Sequence, residues 1–354
     1  MDEQVAFDHA GGWSGVLGTL TGRGDLTADV AGAAMAEILE GNATPAQIAG
    51  FIVALRMKGE TVEELTGLVS AMIDRATPVT LADPEGVIDI VGTGGDRSHS
   101  INVSTLAALT IAGAGGRVCK HGNRAASSAC GTADVLEALG VAFDLGPAGV
   151  AHCVDSVGIG FCFAPRFHGA MRHAGPPRRE LGVPTVFNFL GPLANPARVR
   201  RQVTGVADAA MAERMVQVLA AKGSERALVV YGHDGLDELT ITTTSTVYEL
   251  RDGEIWSYDV DPADWGLGGG TLDDLRGGDA ATNAELSRRI LSGERGPKAD
   301  IVILNAAAGL LAAGVVDDLG AGVEAARVSL DEGGAAAALD SLVRASNEAA
   351  AREA

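Results

Sequence analysis

The segment Gly92-Thr93-Gly94-Gly95-Asp96 constrains this chain more than any other part of it. A β-branched run, Val87-Ile88-Asp89-Ile90-Val91, leads into the glycines, and an apolar helical pattern over residues 103–111 leads out. The glycines therefore join a strand to a helix start, which points to an α/β plan. Unpaired N–H groups at a helix N-terminus, the helix dipole and glycines that admit close approach together favour a bound anion. For glycines alone, a ligand-free tight turn is the ordinary alternative. Two standard nucleotide motifs do not fit. The third glycine of the dinucleotide fingerprint is replaced by Arg97, and the Walker A spacing is absent. What remains is a glycine loop with its own carboxylate, Asp96, then Asn102, Ser104 and Thr105, and Lys120 one βα unit later. Hydroxyls and a carboxylate beside a polyphosphate suit a hard cation such as Mg2+.

Charge narrows the partners. A net charge of −19 opposes nucleic acid, whose binding needs a basic face. Yet residues 97–133 hold no acid, only Arg97, Arg117, Lys120 and Arg124. Over residues 156–207, Glu180 is the single acid among Arg166, Arg172, Arg178, Arg179, Arg198, Arg200 and Arg201. Two basic islands in an acidic chain predict a small anionic ligand held between them. No apolar run reaches the ~18 residues of a membrane span. The start, Met-Asp-Glu-Gln, lacks a basic region followed by an apolar one, so a cytoplasmic protein is expected. Cys119, Cys130, Cys153 and Cys162 lack metal or redox spacing and are expected as buried free thiols.

The chain, 354 residues and 47% apolar, is long enough for a sizeable core in one large or two ordinary domains. Its start reads as helical. Capping boxes at Thr44–Gln47 and Thr61–Glu64 predict helices over residues 45–57 and 62–74, after an earlier one over 29–39. Their apolar stripes are ordinary core. From Val87 onward β-branched runs alternate with helical patterns, predicting strands at residues 87–91, 117–119, 160–163, 227–231 and 301–304 in a mostly parallel sheet. Thr132 is expected to cap a helix over 133–139 that Gly140 closes, and residues 240–250 and 254–258 to form a hairpin. Ligands in such sheets sit at the carboxyl ends of strands. The glycine loop, Lys120, the Ala164-Pro165 bend and the 234–238 loop all follow strands, so one crevice is expected to hold all four.

These motifs carry a family resemblance. Gly92-Thr93-Gly94-Gly95-Asp96, Asn102-Val103-Ser104-Thr105 and Lys120-His121-Gly122-Asn123-Arg124-Ala125 resemble the anthranilate phosphoribosyltransferases. So do Arg178-Arg179-Glu180-Leu181-Gly182, the stretch from Thr185 to Pro196, and Asp234-Gly235-Leu236-Asp237-Glu238. The likeness runs from about Trp13 to the C-terminal helices with the motifs in family order. It implies transfer of the 5-phosphoribosyl group from phosphoribosyl pyrophosphate to the amine of anthranilate, giving N-(5-phosphoribosyl)anthranilate and pyrophosphate, the second step of tryptophan biosynthesis from chorismate. It implies Mg2+ as cofactor and a homodimer through the helical domain. It also implies two domains. Residues 1–86, joined by about 169–190, make a small all-helical domain; residues 87–168 and 191–354 make a larger α/β domain with a mostly parallel central sheet.

Residue roles follow. Lys120, Asp237 and Glu238 are the candidate catalytic groups. Gly92, Gly94, Gly95, Asp96, Asn102, Ser104, Thr105 and Lys120 are candidates for phosphoribosyl pyrophosphate, and Ser104, Asp237 and Glu238 for the metal. By chemistry alone Asp237-Glu238 would be a solvated loop; the resemblance makes it the magnesium pair. The anthranilate carboxylate calls for a planar, bidentate cation, and Arg178 is preferred to Arg179, expected to face solvent or pair with Glu180. By resemblance Gly92, Asn123, Ala164, Pro165, His168 and Met171 line the channel for the amine. His121 is expected to be an ordinary hydrogen-bonding residue. Gly169, Gly175-Pro176-Pro177 and Pro184 depart from the commonest family pattern. Rival readings are a pyrimidine nucleoside phosphorylase, which the Arg178 and Phe187-to-Pro196 motifs do not suggest, and a non-catalytic nucleic-acid-binding relative, which the retained cations and acids oppose.

Overall fold

In a computed structural model of the protein, which describes residues 3–96, 98–125 and 129–354, the chain begins with five helices. These are α1 (Glu3–His9), α2 (Gly12–Thr21), α3 (Ala28–Glu40), α4 (Pro45–Lys58) and α5 (Val62–Asp74). Both predicted capping boxes form: Thr44 Oγ1 accepts from Gln47 N–H while Gln47 Oε1 accepts from Thr44 N–H, and Thr61 and Glu64 repeat the exchange. α1 and α2 were not foreseen as individual helices.

Among the described residues seven strands follow: β1 (Val87–Gly92), β2 (Arg117–Gly122), β3 (Ile159–Phe163), β4 (Arg201–Gly205), β5 (Arg226–Gly232), β6 (Ser245–Arg251) and β7 (Glu254–Val260). Their order across the sheet is β3-β2-β1-β4-β5-β6-β7, parallel from β3 to β5 and antiparallel beyond. Between β1 and β3 lie α6 (Val103–Gly113), α7 (Thr132–Leu139) and α8 (Pro147–Val157). Short pieces then run to β4: α9 (Ala164–Phe167), a 3-10 turn at Gly169–His173, α10 (Gly175–Leu181) and α11 (Phe187–Leu190). α12 (Ala209–Ala221) precedes β5, and α13 (Ala280–Leu291), α14 (Pro297–Ala313), α15 (Leu319–Asp331) and α16 (Gly334–Glu353) close the chain.

Strand alternation divides the core. On β5, Leu228 and Val230 join the cluster built around α6, α8, α14 and α16, while Ala227 and Val229 join α12 and the N-terminal helices. The second cluster also takes in Ala174, Val186, Phe187, Phe189 and Leu190 from the proline-broken segment. Glu353, at the end of α16, accepts the N–H groups of Gly146 and Gly149 at 2.8 and 3.0 Å and so caps α8. Glu353→Ala should destabilise the fold by about 1–2 kcal/mol, read as a lower urea midpoint at unchanged slope.

Four sequence expectations need correction. Residues 301–304 are not a strand but lie within α14, where Ile301 to Leu304 are buried all round. A wholly buried apolar run has no polar face to reveal its period. β4 was missed because its buried side chains include Gln202 and Thr204, which break the apolar pattern. Thr132 is the first residue of α7; Gly131 is the cap, with Asp134 accepting its N–H at 2.9 Å. Residues 240–244 form a loop, and the hairpin strand starts only at Ser245. The four cysteines are buried and none of them forms a disulfide among the described residues.

Candidate active site

At the carboxyl ends of β1, β2 and β5 the chain forms a crevice of about 300 Å3, lined among others by Gly92, Gly94, Asp96, Asn102, Ser104, Lys120, Asn123, Asp237 and Glu238. The strand-turn-helix read from the sequence produces it: β1 ends at Gly92, Gly94 takes φ +68, and α6 starts at Val103. The 234–238 loop, following β5, lies against the glycines. Asp237 Oδ2 accepts from Gly94 N–H at 2.6 Å and from the Thr93 hydroxyl at 3.4 Å. Glu238 accepts from Ser104 N–H at the start of α6. The expected open amide cradle is thus partly engaged by the protein's own carboxylates, because N–H groups at a helix start attract negative charge whatever its source.

Gly205, opposite on β4, permits this approach. A Cβ there would lie 1.6 Å from the Asp237 carbonyl oxygen. Gly205→Ala must push the acid loop off the glycine loop, with an expected cost of several kcal/mol and loss of turnover; an unchanged melting temperature together with unchanged kinetics would refute the packing argument.

The electrostatics of the crevice are unbalanced. Asp237 is pushed up to about 7 by burial, then by nearby Asp96. Glu238 is raised well above the carboxylate range by burial and by Asp237. The cation that opposes Glu238's rise is Lys120, itself buried and lowered by desolvation, with Asp89, Glu238 and Asp237 holding its charge. Lys120 Nζ donates to the Ile90 carbonyl and, at 3.2 Å, to Ser104 Oγ. An oxygen-only donor set short of positive charge fits a hard divalent ion. Among the described residues no three His, Cys, Asp or Glu side chains are gathered as a metal cage.

Three residues that sequence reasoning missed support these groups. Asp89, fully buried on β1, accepts His121 N–H at 3.1 Å and Asn195 Nδ2 at 2.8 Å, and burial lifts it to about 6. A lone acid inside a β-branched strand was the available signal, since buried charges need partners. Asn305 on α14 grips Leu239, next to Glu238, through both its N–H (3.0 Å) and its carbonyl (2.8 Å). Asn283 on α13 donates to Asn102 Oδ1 at 2.9 Å, and Asn102 Nδ2 donates to the Cys130 carbonyl at 3.2 Å. The Asn102 amide thus ties together three chain segments. Thr105 is buried one step into α6, its hydroxyl without a partner among the described residues. Thr105 and Gly95 are not on the crevice wall.

Of the residues expected around the amine, Gly92 and Asn123 line the crevice, and His168 lies beside His121. His121 lines the crevice, bonds the Gly191 carbonyl through Nδ1 at 3.2 Å, and is held neutral, at about 3, by burial. Its ring centre is 5.1 Å from that of His168, whose Nε2 meets the Ala194 carbonyl at 2.9 Å. Ala164 and Pro165 follow β3, and Met171 packs on the helical cluster. None of these four, nor Arg178, lines the crevice itself. Arg178 stacks its guanidinium 5.0 Å from the Phe187 ring centre, half-buried, and makes no ion pair among the described residues. Arg179 is exposed.

The basic islands are less bare in space than in sequence. Arg117 pairs with Asp83 and Asp155, and Arg124 with Asp134 and Glu137. Arg198, Arg200 and Arg201 precede or begin β4, at the end of the sheet opposite the crevice. Arg97 lies outside the described residues.

Comparison with known proteins agrees with this architecture. A glycosyl transferase family helical bundle domain matches residues 15–76, and a glycosyl transferase family a/b domain matches residues 84–336. Anthranilate phosphoribosyltransferase from Rhodococcus jostii is 55% identical over 92% of this chain and 91% of its own, and that from Nocardioides sp. 55% over 94% and 98%. The crystal structure of the enzyme from Thermus thermophilus superposes with a TM-score of 0.89 at 42% identity, covering 94% of this chain and 99% of that one. The Saccharomyces cerevisiae enzyme in complex with phosphoribosyl pyrophosphate and Mg reaches 0.82 at 28%, covering 91% and 92%. Sharing half its residues with two bacterial enzymes along nearly their whole length, the chain belongs to the anthranilate phosphoribosyltransferase family.

Proposed function

We propose that the crevice at Lys120 binds phosphoribosyl pyrophosphate and that the chain transfers its 5-phosphoribosyl group to the amine of anthranilate, releasing pyrophosphate. The observation that carries this reading is the juxtaposition of the glycine loop, the start of α6, Lys120 and an undercompensated acid pair in one crevice. Cleaving the bond at the sugar C1 develops positive charge on the ribose and negative charge on the leaving group, so catalysis is chiefly positioning and charge stabilisation. Gly92, Gly94, Gly95 and Asp96, with Asn102, Ser104 and Thr105, shape and support the phosphate side; Lys120 supplies a point charge there. Asp237 and Glu238, with Ser104, would hold Mg2+, whose contribution when bound is to neutralise the departing pyrophosphate.

The amine side is formed by Asn123, His168 and Met171, by the Ala164-Pro165 bend and by Gly92, with Arg178 taking the anthranilate carboxylate. An aryl amine is neutral near pH 7, so no strong base is needed, and a His121 held neutral fits that absence of acid-base duty. Residues 1–86 with about 169–190 act as a helical domain against the rest, and the chain works in the cytoplasm as a homodimer through that domain. Among the described residues no helix is long and apolar enough to cross a membrane.

Anthranilate fluorescence tests the reaction. Addition of phosphoribosyl pyrophosphate and Mg2+ to protein and anthranilate should quench it, and omission of the metal should abolish the quench. Thymidine consumption with phosphate would instead favour a phosphorylase, and a gel shift without turnover a nucleic-acid-binding relative.

A further inference from the structure

Beside the start of β4 lies a second cleft, of about 150 Å3, that the transferase reaction does not use. Its walls include Ile73 from α5, Asn195, Arg198 and Arg200 from the approach to β4, and Lys222 and Ser224 from the end of α12. Three cations line it, Arg198, Arg200 and Lys222, and two carboxylates answer them. Asp74 takes Arg198 at 3.1 Å, and Glu225 is shared between Arg200 at 2.8 Å and Arg201 at 3.1 Å. Lys222 reaches the Ser70 hydroxyl at 3.0 Å and has no carboxylate within ion-pair distance among the described residues. A local excess of positive charge persists in a chain whose total is −19.

Lys222 follows the last residue of α12, where the helix dipole favours a cation. That accounts for the lysine and not for the two arginines that line the cleft with it. Arg198 is also held at φ +51, a conformation that costs a non-glycine residue about 1 kcal/mol or more. Burial lowers the Lys222 pKa, the charge of Asp74 opposes that fall and Arg198 adds to it; a bound anion would offset the burial and the repulsion from Arg198.

We propose that this cleft binds a compact oxyanion, free phosphate or the phosphate of a small ester, at a site separate from the substrate crevice. Arg198 and Lys222 provide a forked and a point-charge donor, and Arg200, whose guanidinium is held by the Gly223 carbonyl and Glu225, adds positive charge at the rim. The cleft has half the crevice's volume, room for a phosphate group with little attached. It is walled by the helical bundle on one side and by α12 and β4 on the other, so its occupant ties the two together. Asn195 lines it and also donates to Asp89, the buried counter-charge of Lys120.

The test is equilibrium dialysis of the full-length protein with radiolabelled phosphate, alongside crystals soaked in selenate. Two phosphate sites per chain are expected in the wild type and one in Lys222→Gln, which keeps a donor for Ser70, or in Arg198→Asn, which tolerates the left-handed backbone. Anomalous density should lie between Arg198, Arg200 and Lys222 and vanish in both variants, with turnover unchanged. One site in the wild type, density confined to the Lys120 crevice, or unaltered binding in both variants would overturn the proposal. Displacement by phenyl phosphate at lower concentration than by unlabelled phosphate would identify an ester as ligand and the reverse order free phosphate, either of which requires the site.

Discussion

Asp237→Asn combined with Glu238→Gln is expected to lower turnover by about 100- to 1,000-fold, the range seen when charge-stabilising groups are removed from a preorganised site. The substitutions keep size and hydrogen-bonding capacity, so Gly94 and Ser104 retain partners for their N–H groups. What disappears is negative charge in a crevice where burial already penalises it. In the wild type these carboxylates tolerate that environment only with help from Lys120 and, when bound, a divalent ion. The doubly neutral variant should therefore show a flattened dependence of rate on Mg2+ concentration, while the melting temperature without metal stays level or rises, because a desolvation penalty has been removed. Kinetics and magnesium response identical to the wild type would dismiss the acid pair as a metal site.

The parts of this site that were legible in the sequence are those whose local pattern enforces one geometry. A β-branched run into glycines and out into a helix admits few arrangements, and the crevice stands at that turn. Threonine with glutamine or glutamate three residues later gave two helix starts. Residues whose meaning depends on distant partners were not legible. Asp89 reads as a blemish in a strand until Asn195 and the His121 N–H come to it from other segments. Asn305 reads as part of an alanine-rich run, yet it grips the backbone next to Glu238 across 66 positions of sequence. The basic islands misled in the opposite sense, since acids from elsewhere fold onto several of their arginines. Residues 301–304 failed for a third reason: complete burial erases the difference between a strand and a helix.

Arg178→Ala carries the other large expected effect, and its signature is selectivity between substrates. The guanidinium is half-buried, stacked on Phe187, and makes no ion pair among the described residues, and burial weakens its charge. An arginine so placed has donors in a fixed fork and little of the solvation that would compete with a carboxylate. A hydrogen-bonded charge pair contributes about 1.5–3 kcal/mol, so losing it should raise the KM for anthranilate about 10- to 100-fold. The KM for phosphoribosyl pyrophosphate should move far less, because Arg178 is not on the wall of the Lys120 crevice. Arg178→Lys should recover only part of the loss, since a single ammonium cannot reproduce the two-pronged contact. Truncation also removes the stacking on Phe187, so the melting temperature must be measured in parallel. Equal increases in both KM values, or a lower melting temperature with the anthranilate KM unchanged, would show that Arg178 supports the helical segment and does not hold the aromatic acid.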